Sequence, residues 1–124
     1  MSSSQVIYKV CDASLWDDAV STGQFAGAEI DLADGFIHFS AGNQLRETVA
    51  KHFAGRENLV LIAVPTEPLG EALKWEKSRG GDLFPHLYGP LQTDLATRVD
   101  ELPLGDDGNH IFPADLDLSS ESSS

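Results

Sequence analysis

The chain is poor in cysteine and in positive charge, and each shortage narrows what it can do. Its one cysteine, Cys11, cannot close an intramolecular disulfide, which fits a reducing compartment. Only eight lysines and arginines stand against twenty aspartates and glutamates, a formal net charge of -12. A surface that negative repels phosphate backbones at long range and offers no basic stripe, so bulk nucleic acid is not an expected partner. A small-molecule or nucleotide ligand stays open, because a pocket can be locally neutral or basic. The opening MSSSQVIYKV lacks the charged-then-apolar order of a secretory signal, and no apolar run approaches a membrane span. A cytoplasmic protein without membrane association is expected. No glycine-rich phosphate loop follows any apolar run, which disfavours Rossmann and Walker-type sites.

What is present suits a globular protein. With 124 residues, 41% of them apolar, the chain has the size of one domain and enough apolar content for a core. Residues 1–5 and the serine-rich 117–124 read as tails too poor in apolar residues to order themselves, which leaves a single domain over 6–116.

Val6 to Val10 is a short β-rich run. The stretch DASLWDDAVSTG predicts a helix with Asp12 or Ser14 as N-cap, acids in its first turn, and Gly23 at its end. Leu15, Trp16, Ala19 and Val20 mark its apolar face. Gln24–Asp34 reads as a loop and Phe36–Phe39 as a strand. Ser40–Phe53 predicts a second helix, with Leu45, Val49, His52 and Phe53 on one face and Glu47 paired to Lys51. Leu59–Val64, six apolar residues stopped by Pro65, suits a strand buried on both faces. Leu73–Glu76 and residues 96–102 are further strand candidates. Strand, helix, strand, helix and then mostly strands favours an α+β fold over a doubly wound parallel sheet.

The residues that could carry chemistry are scattered along this order. The stretch GDLFPHLYGPL holds two prolines, two glycines and a lone histidine, a composition that argues against a helix and against a central strand. If it is locally extended, the i,i+2 spacing puts His86 and Tyr88 on one face. Gly89 would then allow close backbone approach, and a proline-braced turn whose aromatics merely pack is the simpler alternative. His38, on its strand, reads either as a half-buried imidazole satisfied by the backbone or as a site residue. His52 reads as structural and His110 as exposed. Glu76 follows Trp75; a carboxylate against that ring would be partly desolvated and its pKa raised, whereas an exposed strand glutamate would not. His38, Glu76, His86 and Tyr88 form the resulting pocket candidate.

The runs VIYKV, DGFIHFS, LVLIAV, LKWE and LFPHLYGPL, in that order over residues 6–113, resemble the bacterial family catalogued as domain of unknown function 952. The resemblance implies a fold like that of ADP-ribosyltransferases, a split antiparallel sheet with two main helices and a nicotinamide-nucleotide cleft. It implies NAD as cofactor, with Lys9 at the first-strand position where many family members have histidine. His38, with the adjoining Ser40, would be the second-strand element, and His86 with Tyr88 the third. In the implied enzyme Tyr88 stacks on a ring and His38 and His86 orient ribose or phosphate oxygens. Glu76 stabilises positive charge at the anomeric carbon, and the acceptor is a small molecule or a phosphorylated end. Two other readings stand beside it. One is a non-catalytic nucleotide- or partner-binding domain of the same fold. The other is a mononuclear metal site of His38, His86 and Glu76, ranked last because no paired motif such as H-x-H links the three. No metal is expected.

Overall fold

The computed structural model of the chain describes residues 6–77 and 83–112, so both predicted tails lie outside the described residues. Strand β1 (Val6–Asp12) is followed by helix α1 (Ala13–Thr22), the short strand β2 (Gln24–Phe25) and helix α2 (Glu29–Asp34). Strands β3 (Ile37–His38) and β4 (Ser40–Ala41) lead into helix α3 (Gly42–His52). Strand β5 (Leu59–Pro65), β6 (Leu73–Lys77), β7 (Leu83–Leu87), β8 (Leu91–Gln92) and β9 (Arg98–Leu102) complete the order. Every strand pair is antiparallel, and the fold is α+β.

The larger sheet runs β4-β1-β5-β9, a second pairs β2 with β8, and the third runs β3-β7-β6. Strand alternation divides the core into two layers. Ile7, Cys11, Val60, Ile62 and Val64 point from the large sheet toward α1 and the smaller sheets, where Trp16, Phe25, Ile37, Leu87 and Leu91 meet them. Tyr8, Val10, Leu59, Leu61 and Ala63 point the other way, onto Leu45 and Val49 of α3. Leu59 through Val64 are all buried, so β5 is the doubly covered strand its composition predicts. Each such aliphatic side chain contributes about 1.5–3 kcal/mol by leaving water, which makes β1 and β5 the anchor of the fold.

Several expectations need correction. Residues 24–34 are not a plain loop: they form β2 and α2. In α1 no acid lies in the first turn, Asp12 makes no side-chain cap but pairs with Arg56 at 2.6 Å, and Val20 is exposed. Ser40 belongs to β4, and α3 begins two residues later, with the Gln44 side chain accepting the Ala41 N–H at 2.9 Å. His52 lies exposed rather than on the apolar stripe, and half-buried His110 donates to the Arg56 carbonyl at 2.8 Å.

The proline-containing segment is the largest surprise, because β7 is the central strand of its sheet. Pro85 tolerates that place because of where its missing N–H falls. Its carbonyl accepts the Phe39 N–H at 3.0 Å, and the return bond would lie where the chain leaves β3 for β4. The ladder loses one bond at an end instead of one in the middle.

Cys11 faces the first core layer, and burial pushes its thiol up to about 12. The thiolate is the reactive form, so a disulfide-exchange reagent at pH 8 should label the native protein no faster than it unfolds. Denaturant should release one reactive equivalent. Rapid stoichiometric labelling of the native protein would contradict the burial of Cys11.

Candidate functional site

The small sheet carries one apolar face and one polar, aromatic face, and its register decides which residue lies on which. His38 stands directly across from His86, and His86 from Lys74. Alternation then puts Phe36, Tyr88 and Glu76 on that same side. Ile37 and Leu87 point to the opposite side, into the core. Four of the residues singled out from the sequence, His38, Glu76, His86 and Tyr88, therefore share a face.

They also touch. Glu76 Oε1 lies 2.8 Å from His86 Nδ1 and accepts the Tyr88 hydroxyl proton at 2.8 Å. The Phe36 ring stacks on His86 with centroids 4.2 Å apart and packs against Tyr88 at 5.2 Å and His38 at 4.7 Å. His38 meets His86 edge-on at 5.4 Å. Phe36 is thus the hub of the four rings, and tight, near-parallel stacking fixes the His86 imidazole in place.

Beneath this face lies a charged network the sequence did not announce. Asp31 of α2 is fully buried, and its Oδ2 lies 2.7 Å from the Lys9 ammonium. Its Oδ1 lies 2.6 Å from His38 Nδ1 and accepts the His38 backbone N–H at 3.0 Å, while Oδ2 also accepts the Ala28 N–H at 2.7 Å. Asp34, one turn on, reaches the other side of the same imidazole, 3.0 Å from Nε2. Burial of an isolated carboxylate would be costly, but four donors converge on Asp31 and a full counter-charge sits among them.

These contacts set the ionisation of the acids. Burial alone would raise the Asp31 carboxyl; the His38 hydrogen bond and the charge and hydrogen bond of Lys9 outweigh it and bring it to about 2. Glu76 is lowered, chiefly by the hydrogen bonds from His86 and Tyr88, and the Tyr88 phenol is raised by the same bond to Glu76. The expectation that Trp75 raises Glu76 is overturned: neighbours in a strand point to opposite faces, so the indole does not desolvate the carboxylate. Glu76 is 38% exposed and anionic.

The two remaining sequence candidates lie apart from the exposed face. The Lys9 side chain is only 7% exposed and its ammonium is committed to Asp31, so it cannot be a counter-charge at the surface. Lys74, across from His86, is an exposed cation on this face. Ser40 pairs with Tyr8, so it shares the α3 side of the large sheet, and its hydroxyl donates to Thr48 at 3.3 Å. Among the described residues no three His, Cys, Asp or Glu side chains are grouped to hold a metal ion.

Gly89 adopts φ +138° with open space where a Cβ would stand, so within the described chain its role is conformational and no strand makes a close approach there. That close approach occurs at Gly27, where a Cβ would come within 2.6 Å of the Asp31 Cβ. Asp31, Asp34, Phe36 and Lys74 are the members sequence reasoning missed. The one local hint was DLADG, two acids three apart just ahead of the strand bearing His38.

Residues 10–99 match the family model described as protein of unknown function (DUF952), and the chain belongs to that family. It is 56% identical to protein CC0527 from Caulobacter crescentus, whose crystal structure superposes with a TM-score of 0.82 over 86% of this chain and 93% of that one. The solution structure of the same Caulobacter protein gives 57% identity and a TM-score of 0.77, covering 84% and 90% of the two chains. No curated protein matches the chain. Among the described residues no helix is long and apolar enough to cross a membrane.

Proposed function

We propose that the Phe36–His38–His86–Tyr88–Glu76 face is the ligand site of an NAD-using enzyme with an ADP-ribosyltransferase-like arrangement, acting on a small molecule or a phosphorylated end. The observation that carries this reading is Glu76, a carboxylate held anionic at the surface by an imidazole and a phenol, beside the exposed ring of Tyr88. An anion next to π-faces suits a cationic aromatic ring and the positive charge that develops at a ribose anomeric carbon. Bound there, NAD would supply an ADP-ribosyl group with nicotinamide as its leaving group. Tyr88 offers the stacking plate, Glu76 the charge stabilisation, and Lys74, exposed across from His86, a cation for a phosphate oxygen. His86 and Phe36 hold that assembly rigid.

The protein's negative field opposes a diphosphate at long range, so affinity must come from stacking and short hydrogen bonds. Tyr88→Ala should weaken NAD binding by about 1–3 kcal/mol, on the scale of base–aromatic stacking. Tyr88→Phe should keep most of that affinity. Calorimetry of the parent and both variants with NAD and ADP-ribose decides. A parent that binds neither at millimolar concentration, or a Tyr88→Ala variant that binds as the parent does, would sink the proposal.

The burial of Lys9 favours a second reading, a nucleotide-binding domain of the same arrangement without chemistry. The residue at the first-strand position is tied to Asp31 and presents no free charge to a ligand. Release of nicotinamide from bound NAD separates the two, since only the enzyme produces it.

A further inference from the structure

We infer that Asp31 is a positioning residue that locks the His38 imidazole with Nδ1–H pointing inward, so that Nε2 is the working nitrogen and receives a ligand hydroxyl. The inference rests on reading this face as a ligand site, but its first consequence, the tautomer, stands without a ligand.

The short helix α2 places Asp31 and Asp34 three residues apart, on one side of its turn. His38 lies between the two carboxylates, with Nδ1 at 2.6 Å from Asp31 and Nε2 at 3.0 Å from Asp34. The two partners are not alike. The Asp31 side chain is 0% exposed, anchored by Lys9 and by the backbone N–H groups of Ala28 and His38, and has no freedom to leave. The Asp34 side chain is 48% exposed, and its one ion-pair partner among the described residues is His38. A carboxylate accepts and never donates once ionised, and Asp31 is held ionised to about pH 2. Its neighbour Nδ1 must therefore carry the hydrogen.

Once Asp34 is displaced, the neutral ring keeps Nδ1–H and offers the Nε2 lone pair to the aromatic face. That nitrogen can then accept a hydrogen bond from a ligand hydroxyl such as that of a ribose. While Asp34 lies 3.0 Å from Nε2 that nitrogen also carries a hydrogen, since a carboxylate only accepts; displacing Asp34 releases that proton to solvent, and the ligand hydroxyl then donates to the bare nitrogen. Lys9 takes a different role from the one its strand position suggests: it is the counter-ion that keeps Asp31 charged while buried. A histidine free of such restraint favours the opposite tautomer, Nε2–H, so the outcome is not the default.

The test is nitrogen-15 spectroscopy of the histidine rings in the full chain at alkaline pH, in the Asp34→Ala variant. His38 should show a pyrrole-type Nδ1 and a pyridine-type Nε2. The double variant Lys9→Met/Asp31→Ala, which removes the buried charge together with its counter-charge, should revert His38 to Nε2–H. A pyridine-type Nδ1 in Asp34→Ala would overturn the inference, and so would an unchanged tautomer in a folded double variant. If the double variant does not fold, the Asp34→Ala spectrum alone decides. Loss of NAD binding with the Nδ1–H tautomer intact would refute the functional reading and leave the lock standing.

Discussion

Asp31→Ala should destabilise the protein by about 3–5 kcal/mol, the usual cost of removing one member of a buried ion pair. The substitution leaves the ammonium of Lys9, a side chain only 7% exposed, with no counter-charge, and strips acceptors from the Ala28 and His38 N–H groups. Lys9→Met should cost a comparable amount for the mirror reason. The double variant Lys9→Met/Asp31→Ala should be more stable than the sum of the two single losses predicts, because neither charge is then orphaned. Urea midpoints of the three variants measure this directly. A loss below about 1 kcal/mol for Asp31→Ala would show that the carboxylate is not buried and paired as described.

The same residue should appear in the acid limb of stability. The Asp31 carboxyl is held at about 2 in the folded protein, below the value near 3.9 expected of an unfolded aspartate. A depressed carboxyl contributes stability that is present above the unfolded pKa and lost as pH falls through the folded one. Asp31 therefore contributes about 2–3 kcal/mol above pH ~4, lost between there and pH ~2. In the double variant this limb should flatten.

Gly27→Ala is expected to be nearly as damaging, at about 2–4 kcal/mol, because backbone strain and overpacking add. Gly27 sits at φ +115°, where an L side chain is strained, and a methyl would stand 2.6 Å from the Asp31 Cβ. Asp31 cannot retreat without lengthening its contacts to Lys9 and His38. Gly89→Ala is the control: φ +138° imposes strain there too, but nothing lies within 4 Å of the added carbon. It should cost about 1–2 kcal/mol, the strain alone. Equal losses at the two glycines would remove the steric argument for a packed Asp31.

The sequence was most legible where one residue type dominates a short run. Six apolar residues between Asn58 and Pro65 could hardly be anything but a doubly buried strand, and Gly23 ended α1 where a left-handed cap was required. Helix α2 escaped because it buries Asp31, a carboxylate where an amphipathic pattern predicts an apolar side chain. Pro85 misled because a proline's missing N–H matters only where a partner would have accepted it.

For the site, period-two alternation sufficed to place His86 beside Tyr88, and the register brought His38 and Glu76 to them. Phe36 went unnoticed as a hub, since an aromatic in a strand reads first as core. The Lys9–Asp31 pair joins residues 22 positions apart through a buried contact, which leaves no local pattern in the sequence.

Chemical-shift mapping of the labelled full chain, titrated with NAD, ADP-ribose and nicotinamide, tests the proposed site most directly. Saturable shifts with NAD are expected, centred on Phe36, His38, His86 and Tyr88, with the ring signals of Tyr88 moving most and the α3 side around Ser40 and Thr48 unmoved. No shifts at millimolar NAD, or shifts centred on the α3 side of the large sheet, would contradict it.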